Sequence, residues 1–262
     1  MFGSFLIGTQ FVMALYNLLF YFKVKDKSYI YYAIHLMSNA GYAGFCWLRI
    51  NEDLKDSVLP GGEYYFDHLA LFTTLGMIGY VYFIRTYLNL AALSKTWDKV
   101  MKWLGYLGWI IFVPAVIFYS IPGWGKETGT GFAVFYVMVS SIVGLAFFVP
   151  LFRWRKQVNT FFIMGFYGLA IGAVISVLLR IANVSFFFYF IEVGVLLEAV
   201  FFTLALADKQ QKKDKDRVQA LLELELAENQ RKLDKLENAR IKEVEEVRNS
   251  FYTNITLSLI HI

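Results

Sequence analysis

The stretch TFFIMGFYGLAIGAVISVLL, residues 160–179, runs for 20 residues without a charged side chain. About 20 apolar residues in a helix cross the roughly 30 Å hydrocarbon core of a bilayer. Because the backbone must satisfy its own hydrogen bonds in lipid, a stretch this long predicts a transmembrane helix rather than a barrel strand. The sequence therefore places this protein in a membrane.

Six other stretches resemble this one in length and hydropathy. Hydrophobic residues make up 58% of the chain, whereas soluble domains usually contain about 45–50%. We therefore predict an all-α membrane protein, with a seven-transmembrane helix bundle over residues 1–207 followed by a long cytoplasmic helix or coiled coil. The predicted spans are 2–22, 29–48, 69–89, 103–120, 131–152, 160–180 and 186–207.

Basic residues are divided unequally between the two sides of the predicted bundle. Ten lie in or beside the first, third and fifth connections, and four lie in or beside the others. Because Lys and Arg concentrate on the cytoplasmic side, we predict the N-terminus outside and the C-terminus inside the cell. The ten are Lys23, Lys25, Lys27, Arg85, Lys95, Lys99, Lys102, Arg153, Arg155 and Lys156, and the four are Arg49, Lys55, Lys126 and Arg180.

The longest outside connection, 49–68, is acidic. It contains a Pro60-Gly61-Gly62 turn, and such a turn is typical of an irregular loop. An acidic loop of this kind either binds a cation or ligand or is simply solvated, and the sequence leaves both interpretations open. Its acidic residues are Glu52, Asp53, Asp56, Glu63 and Asp67.

Four polar residues in the predicted spans form a candidate intramembrane network: Asn17, Arg180, Glu192 and Glu198. A charged side chain at a helix centre costs about 2.5–3.5 kcal/mol on insertion scales, so each one calls for a physical reason. Arg180 is predicted either to reach toward Glu192 or to extend to the outer surface. Glu198 follows Glu192 by six residues, about 120° around the helix, so the two glutamates are not expected to pair.

Two interpretations of Glu198 stay open. In one, its carboxyl belongs to a polar network that responds to a signal or to protons. In the other, a protonated or hydrogen-bonded carboxyl only fixes the packing of the helices. Unchanged signalling by Glu198→Gln at every pH would exclude the first interpretation.

Several other functions are disfavoured. A retinal Schiff base requires a lysine inside the membrane, and the seventh span has none before Lys209. The three histidines and single cysteine are too dispersed for a metal cluster, and His35 is predicted to be packed or solvated. A transporter is also disfavoured, because transporters typically contain clear internal repeats and broken helices. We expect no catalytic, cofactor-binding or metal-binding residue in this chain and no nucleic-acid partner.

Residues 209–250 are charged and contain no Gly or Pro. Their Glu, Lys, Leu and Ala content favours a helix. A heptad seam predicts a parallel homodimer through this stalk (208–248), in which Asn229 and Arg240 are the candidate register positions; a single exposed helix is the alternative. The seam comprises Leu222, Leu226, Asn229, Leu233, Leu236 and Arg240, and its register shifts beyond Arg240.

Two motifs resemble a known family. The Tyr16-Asn17 pair ahead of KDKSYIYY (25–32), and the exit LALADK (204–209), are similar to the two ends of the membrane domain of the bacterial seven-transmembrane receptors with diverse intracellular signalling modules (7TMR-DISM). The resemblance covers residues 1 to about 210. It implies a multi-pass receptor in the bacterial cytoplasmic membrane, with the lipid bilayer as its surroundings.

A third motif, RNSFYTNIT (248–256), resembles the lead-in to the dimerisation helix of histidine kinases. We therefore expect residues 249–256 to begin such a helix, in a chain truncated before the phosphoacceptor histidine. In that family a histidine follows at once, whereas Leu257 follows here. Residues 257–262 resemble the translation of a transposon end used in sequencing libraries and are expected to be non-native.

These resemblances together imply the sensor portion of a two-component histidine kinase, with a response regulator as the partner of the full-length protein. Two alternatives remain. One is the same kind of receptor with another output module, such as a cyclase or phosphatase. The other is a non-enzymatic membrane scaffold or transporter subunit with a coiled-coil tail.

Overall fold

The computed structural model describes residues 2–50, 69–120, 126–182 and 187–260. These residues form eight helices and no strand, as expected of an all-α protein. The acidic residues of the loop 49–68, His68, the Arg180 side chain and His261 lie outside the described part. The helices are α1 (Phe2–Val24), α2 (Lys27–Ile50), α3 (Leu69–Tyr87), α4 (Leu90–Leu93), α5 (Lys95–Ser120), α6 (Lys126–Arg153), α7 (Thr160–Ile181) and α8 (Phe187–Ile260).

Six of the described helices are long and apolar enough to cross a membrane: α1, α3, α5, α6, α7 and α8. They carry exposed apolar side chains such as Leu19, Ile142 and Ile171. A helix bundle presents such a surface to lipid rather than to water. The protein is therefore an all-α membrane protein.

Helix α2 matches the second predicted span in position but is not apolar enough to be counted with the six. Its polar residues face protein, since Ser28, His35 and Ser38 are all buried. α2 packs against both α1 and α3. A helix that is enclosed by its neighbours does not need a lipid-like surface, which explains its lower hydropathy.

The centre of the bundle is aromatic. Phe202 of α8 stacks on Phe162 of α7 with ring centroids 4.8 Å apart, and lies 5.0 Å from Phe83 of α3. Tyr32 of α2 lies 4.7 Å from Phe83. Because aromatic rings bury large areas and prefer defined mutual geometries, this cluster fixes α8 relative to the helices around it.

Glycines allow close approach of two helix pairs. A Cβ atom at Gly172 of α7 would lie 2.8 Å from the Cα atom of Gly194 of α8, and one at Gly79 of α3 would lie 3.0 Å from the backbone nitrogen of His35. Small residues at such crossings let backbones pack directly against each other in membranes. The pairs α7–α8 and α2–α3 are therefore held at short distance.

The third connection differs from the prediction. α5 begins at Lys95 rather than near residue 103, and the short α4 precedes it. The first turns of α5 carry Lys95, Lys99 and Lys102, so a hydropathy pattern detects only the apolar remainder. An ion pair links this segment to α3, with Arg85 Nε donating to Asp98 Oδ1 at 2.6 Å.

The chain divides into two compact units, Met1–Ala207 and Asp208–Ile262. Within the second unit every residue from 211 to 256 is exposed. Its side-chain contacts include pairs four residues apart, such as Lys212 with Asp208 at 2.9 Å and Gln230 with Asp234 at 2.9 Å. The roles assigned to 208–248, 249–256 and 257–262 stay predictions.

Candidate functional site

His35 lies on the buried side of α2, in the third turn of the helix. Its Nδ1 atom is 2.9 Å from the carbonyl oxygen of Gly76 on α3. A carbonyl oxygen only accepts hydrogen bonds, so Nδ1 carries the hydrogen and donates it. This bond fixes the orientation of the ring and leaves Nε2 to face the interior.

The Nε2 atom of His35 faces the carboxyl group of Glu198 on α8. It lies 3.4 Å from each carboxyl oxygen, and Glu198 is fully buried. The side-chain amide of Asn39 reaches the same Nε2 atom at 3.0 Å. Nε2 therefore either accepts a hydrogen bond from Asn39 or carries a proton and donates to Glu198. These two arrangements differ in the hydrogen-bond partner of Nε2.

Two tyrosines surround this pair. The ring of Tyr80 on α3 lies 4.7 Å from the His35 ring, and the ring of Tyr32 lies 5.9 Å from it. Both hydroxyl oxygens are buried without a hydrogen-bond partner in the described part of the chain. An unsatisfied buried hydroxyl costs free energy, so these two tyrosines make the site less stable than a fully hydrogen-bonded one.

A second polar contact connects α8 to α1. The amide of Gln10 donates to Oε2 of Glu192 at 2.6 Å, and both residues are buried. Glu192 and Glu198 are six residues apart, about 9 Å along the helix. α8 is thus held by polar contacts at two levels, to α1 through Glu192 and to α2 through Glu198.

Two tyrosine hydroxyls hold the end of the buried part of α8. Tyr87 of α3 donates to the carbonyl oxygen of Ala205 at 3.1 Å, and Tyr29 of α2 donates to that of Leu206 at 3.2 Å. The helix therefore has polar contacts with the bundle at Glu192, at Glu198 and at its last buried turn. α2 and α3 thus both contact α8 through hydrogen bonds at this end of the helix.

A sequence family described as 7TM diverse intracellular signalling matches residues 1–209. The chain belongs to this family. It is a membrane sensory receptor for signalling, as the motifs at 16–32 and 204–209 predicted. No curated protein and no solved structure matches the chain.

The three predicted network residues of the receptor whose side chains the structure describes, Asn17, Glu192 and Glu198, have different hydrogen-bond partners. Glu192 and Glu198 have separate partners, consistent with their 120° separation on the helix. Asn17 is buried, but its Nδ2 atom donates to the carbonyl oxygen of Met13 on its own helix at 2.8 Å. The Arg180 side chain lies outside the described residues. A functional role for these residues stays a prediction.

The sequence did not reveal the partners of Glu198. His35 was expected to be packed or solvated, and it is buried against a carboxyl 163 residues away. No pattern in the sequence singles out Asn39 or Tyr80. The usable signal was a histidine within an apolar span, because ionisable residues inside a membrane face the protein interior and pair there. His35, Glu198, Asn39 and Tyr80 together form the candidate site.

The receptor's two candidate register residues lie on α8 outside the first unit. Asn229 and Arg240 are exposed, as are the seam leucines Leu222, Leu226, Leu233 and Leu236. Large apolar side chains aligned on one exposed face are typical of a helix that associates with another.

Proposed function

We propose that this receptor is the sensor portion of a two-component histidine kinase in a bacterial cytoplasmic membrane. The N-terminus lies outside and the C-terminus inside, because the loops that carry ten of the basic residues then face the cytoplasm. The proposal rests on the extent of helix α8. The same helix contains Glu198 and the charged heptad segment beyond Asp208.

In the proposed mechanism, an event outside or within the membrane changes the packing of α2 and α3 against α8. The contacts at Glu198, Ala205 and Leu206 transmit the change to α8. A ligand shifts such an equilibrium only as far as it binds one packing state better than the other. The site offers two such states, because Nε2 of His35 is within reach of both Asn39 and Glu198.

The stalk acts as a parallel homodimer. In a single chain, Leu226 and Leu233 are 69% and 60% exposed, and pairing of two helices along the heptad seam buries them. Asn229 pairs with its counterpart and sets the register at some cost in stability. The shift in register near Arg240 gives the stalk two arrangements that the bundle can bias.

The output is a histidine kinase. The segment Phe251–Thr256 supports this assignment, because it is similar to the lead-in of the kinase dimerisation helix. The full-length protein then phosphorylates its own histidine from ATP and passes the phosphate to an aspartate of a response regulator. A cyclase, a phosphatase or a scaffold would lack this chemistry.

The experiment uses the full-length gene product in membrane vesicles with labelled ATP. We expect acid-labile, base-stable phosphate on the protein, the signature of phosphohistidine, and an altered rate of its formation in Glu198→Gln. Glu228→Gln, an exposed stalk position off the seam, is the matched control and should leave the rate unchanged. Absence of phosphohistidine would exclude the kinase, and equal rates in both variants would exclude the role of Glu198.

A further inference from the structure

A cavity of about 410 Å³ lies between α3, α5, α6 and α7. The residues of the described part that line it are apolar apart from Tyr80, Ser140 and Ser141. None of the described residues that line it is charged. Ligand sites typically have volumes of about 300–1,000 Å³ and occur between the helices of bundles, so this cavity has the size and position of a binding site.

The cavity opens toward lipid. Leu145 of α6 and Val174 and Leu178 of α7 line it, and their side chains are 60%, 52% and 59% exposed. These residues lie on membrane spans, where an exposed side chain contacts hydrocarbon. The molecules that reach the cavity therefore come from the bilayer.

We propose that the cavity binds one acyl chain of a bilayer lipid. Apolar cavities of this kind exclude water and accept apolar molecules. With no charged group in its described walls, the cavity suits the hydrocarbon tail, while the headgroup of the same lipid stays at the membrane surface. The bilayer supplies such chains at its mouth at high concentration.

Tyr80 lies between a bound acyl chain and α8. Tyr80 lines the cavity, and its ring contacts His35 at 4.7 Å and stacks near Phe202 of α8 at 6.2 Å. An acyl chain that displaces Tyr80 thereby acts on the His35–Glu198 pair. This effect on the His35–Glu198 pair rests on the proposed sensor function, whereas the binding of the acyl chain does not.

The test is photolabelling of the whole chain in vesicles of phosphatidylethanolamine and phosphatidylglycerol. A small fraction of the lipid carries a diazirine in the middle of one acyl chain, and labelled residues are identified by mass spectrometry. Val81 and Met101 line the cavity but are only 4% and 2% exposed. Bulk lipid does not reach them, so we expect them to be labelled only by a chain inside the cavity.

A cavity-filling variant supplies the control. Gly144 lines the cavity, and a Cβ atom built there meets nothing within 4 Å, so Gly144→Phe has room to fill it. Gly131 lies on the same helix with the same open space but is not among the residues that line the cavity. We expect a severalfold loss of labelling at Val81 and Met101 in Gly144→Phe and none in Gly131→Phe.

Each result of the photolabelling either supports or overturns the lipid site. If Gly144→Phe does not fold, Ala173→Leu, on the α7 wall, replaces it. Absence of labelling at Val81 and Met101 in the wild-type protein would overturn the site, as would equal labelling in all folded variants. Labelling by a free diazirine fatty acid but not by the phospholipid would overturn the bilayer lipid as the source. Labelling of the cavity without any phosphohistidine in the full-length protein would exclude the kinase proposal and leave the lipid site standing.

Discussion

The Nε2 atom of His35 on α2 lies 3.4 Å from both carboxyl oxygens of Glu198 on α8, and the two side chains are 4% and 0% exposed. Nδ1 of the same ring is held by the Gly76 carbonyl on α3. Three helices therefore meet at one imidazole. Polar groups buried in a bundle either stabilise it as a satisfied network or destabilise it when a partner is removed.

The first prediction concerns this pair. In a double-mutant cycle of His35→Leu and Glu198→Leu, we expect a coupling free energy of about 0.5–2 kcal/mol, the range of buried hydrogen-bonded pairs in membrane proteins. The free energy of unfolding is measured in mixed micelles. A cycle of Gln10→Leu with Glu198→Leu is the control and should show little coupling, since Gln10 contacts Glu192 instead. Equal coupling in both cycles would contradict a direct His35–Glu198 interaction.

The second prediction concerns the hydroxyls at the end of the buried part of α8. Tyr29→Phe and Tyr87→Phe keep the rings and remove the hydrogen bonds to Leu206 and Ala205. Each should lower the free energy of unfolding by about 0.5–1.5 kcal/mol and speed hydrogen exchange of the amides at 205–210. Tyr16→Phe, at a ring that is 41% exposed, should change neither quantity. Unchanged exchange in the double variant would show that the two hydroxyls do not hold the helix.

The third prediction concerns the close approach of α7 and α8. Gly172→Ala places a Cβ atom 2.8 Å from the Gly194 Cα atom and from the Phe190 carbonyl oxygen. Because backbone atoms cannot move aside as a side chain does, we expect a loss of about 1–3 kcal/mol in the free energy of unfolding. Gly131→Ala, with open space around the new methyl group, should instead gain about 0.5–1 kcal/mol from helix propensity. Equal effects at the two glycines would mean that the helices are not in contact there.

The fourth prediction concerns the register of the stalk. Asn229→Leu should make the dimer more stable and its register less specific, since a polar seam residue fixes alignment at the expense of stability. Asn238→Leu, an exposed position off the seam on the same helix, should leave both unchanged. Sedimentation in detergent measures the dimer, and disulfide mapping measures the register. A weaker dimer in Asn229→Leu would show that Asn229 does not lie on the seam.

Much of the fold follows from hydropathy alone. The stretch at 160–179 and its six counterparts each coincide with an observed helix, although the span 69–89 runs two residues past the end of α3 and residue 186 lies outside the described part. The errors occur where lipid is not the surroundings. The charged start of α5 at Lys95 was missed. α2 was predicted at the right position, and its lower hydropathy follows from the buried Ser28, His35 and Ser38.

The candidate site was predicted only in part. Glu192 and Glu198 are conspicuous in the sequence because a carboxyl group within a membrane span is costly. Their partners do not, since pairing depends on which helices are neighbours and on their rotation. Gln10 is 182 residues from Glu192, and His35 is 163 from Glu198. No periodicity within one helix reveals such a contact.

The central claim is that a change at Glu198 inside the bundle alters the pairing of the stalk. The most direct measurement is the rate of disulfide formation between copies in native membranes, with Cys46→Ala and one cysteine at Leu226 on the seam or at Leu224 off it. These positions are 69% and 59% exposed in a single chain. We predict faster cross-linking at 226 than at 224, and a change in that ratio in Glu198→Gln. Equal rates at the two positions, or a ratio that Glu198→Gln leaves unaltered, would contradict the claim.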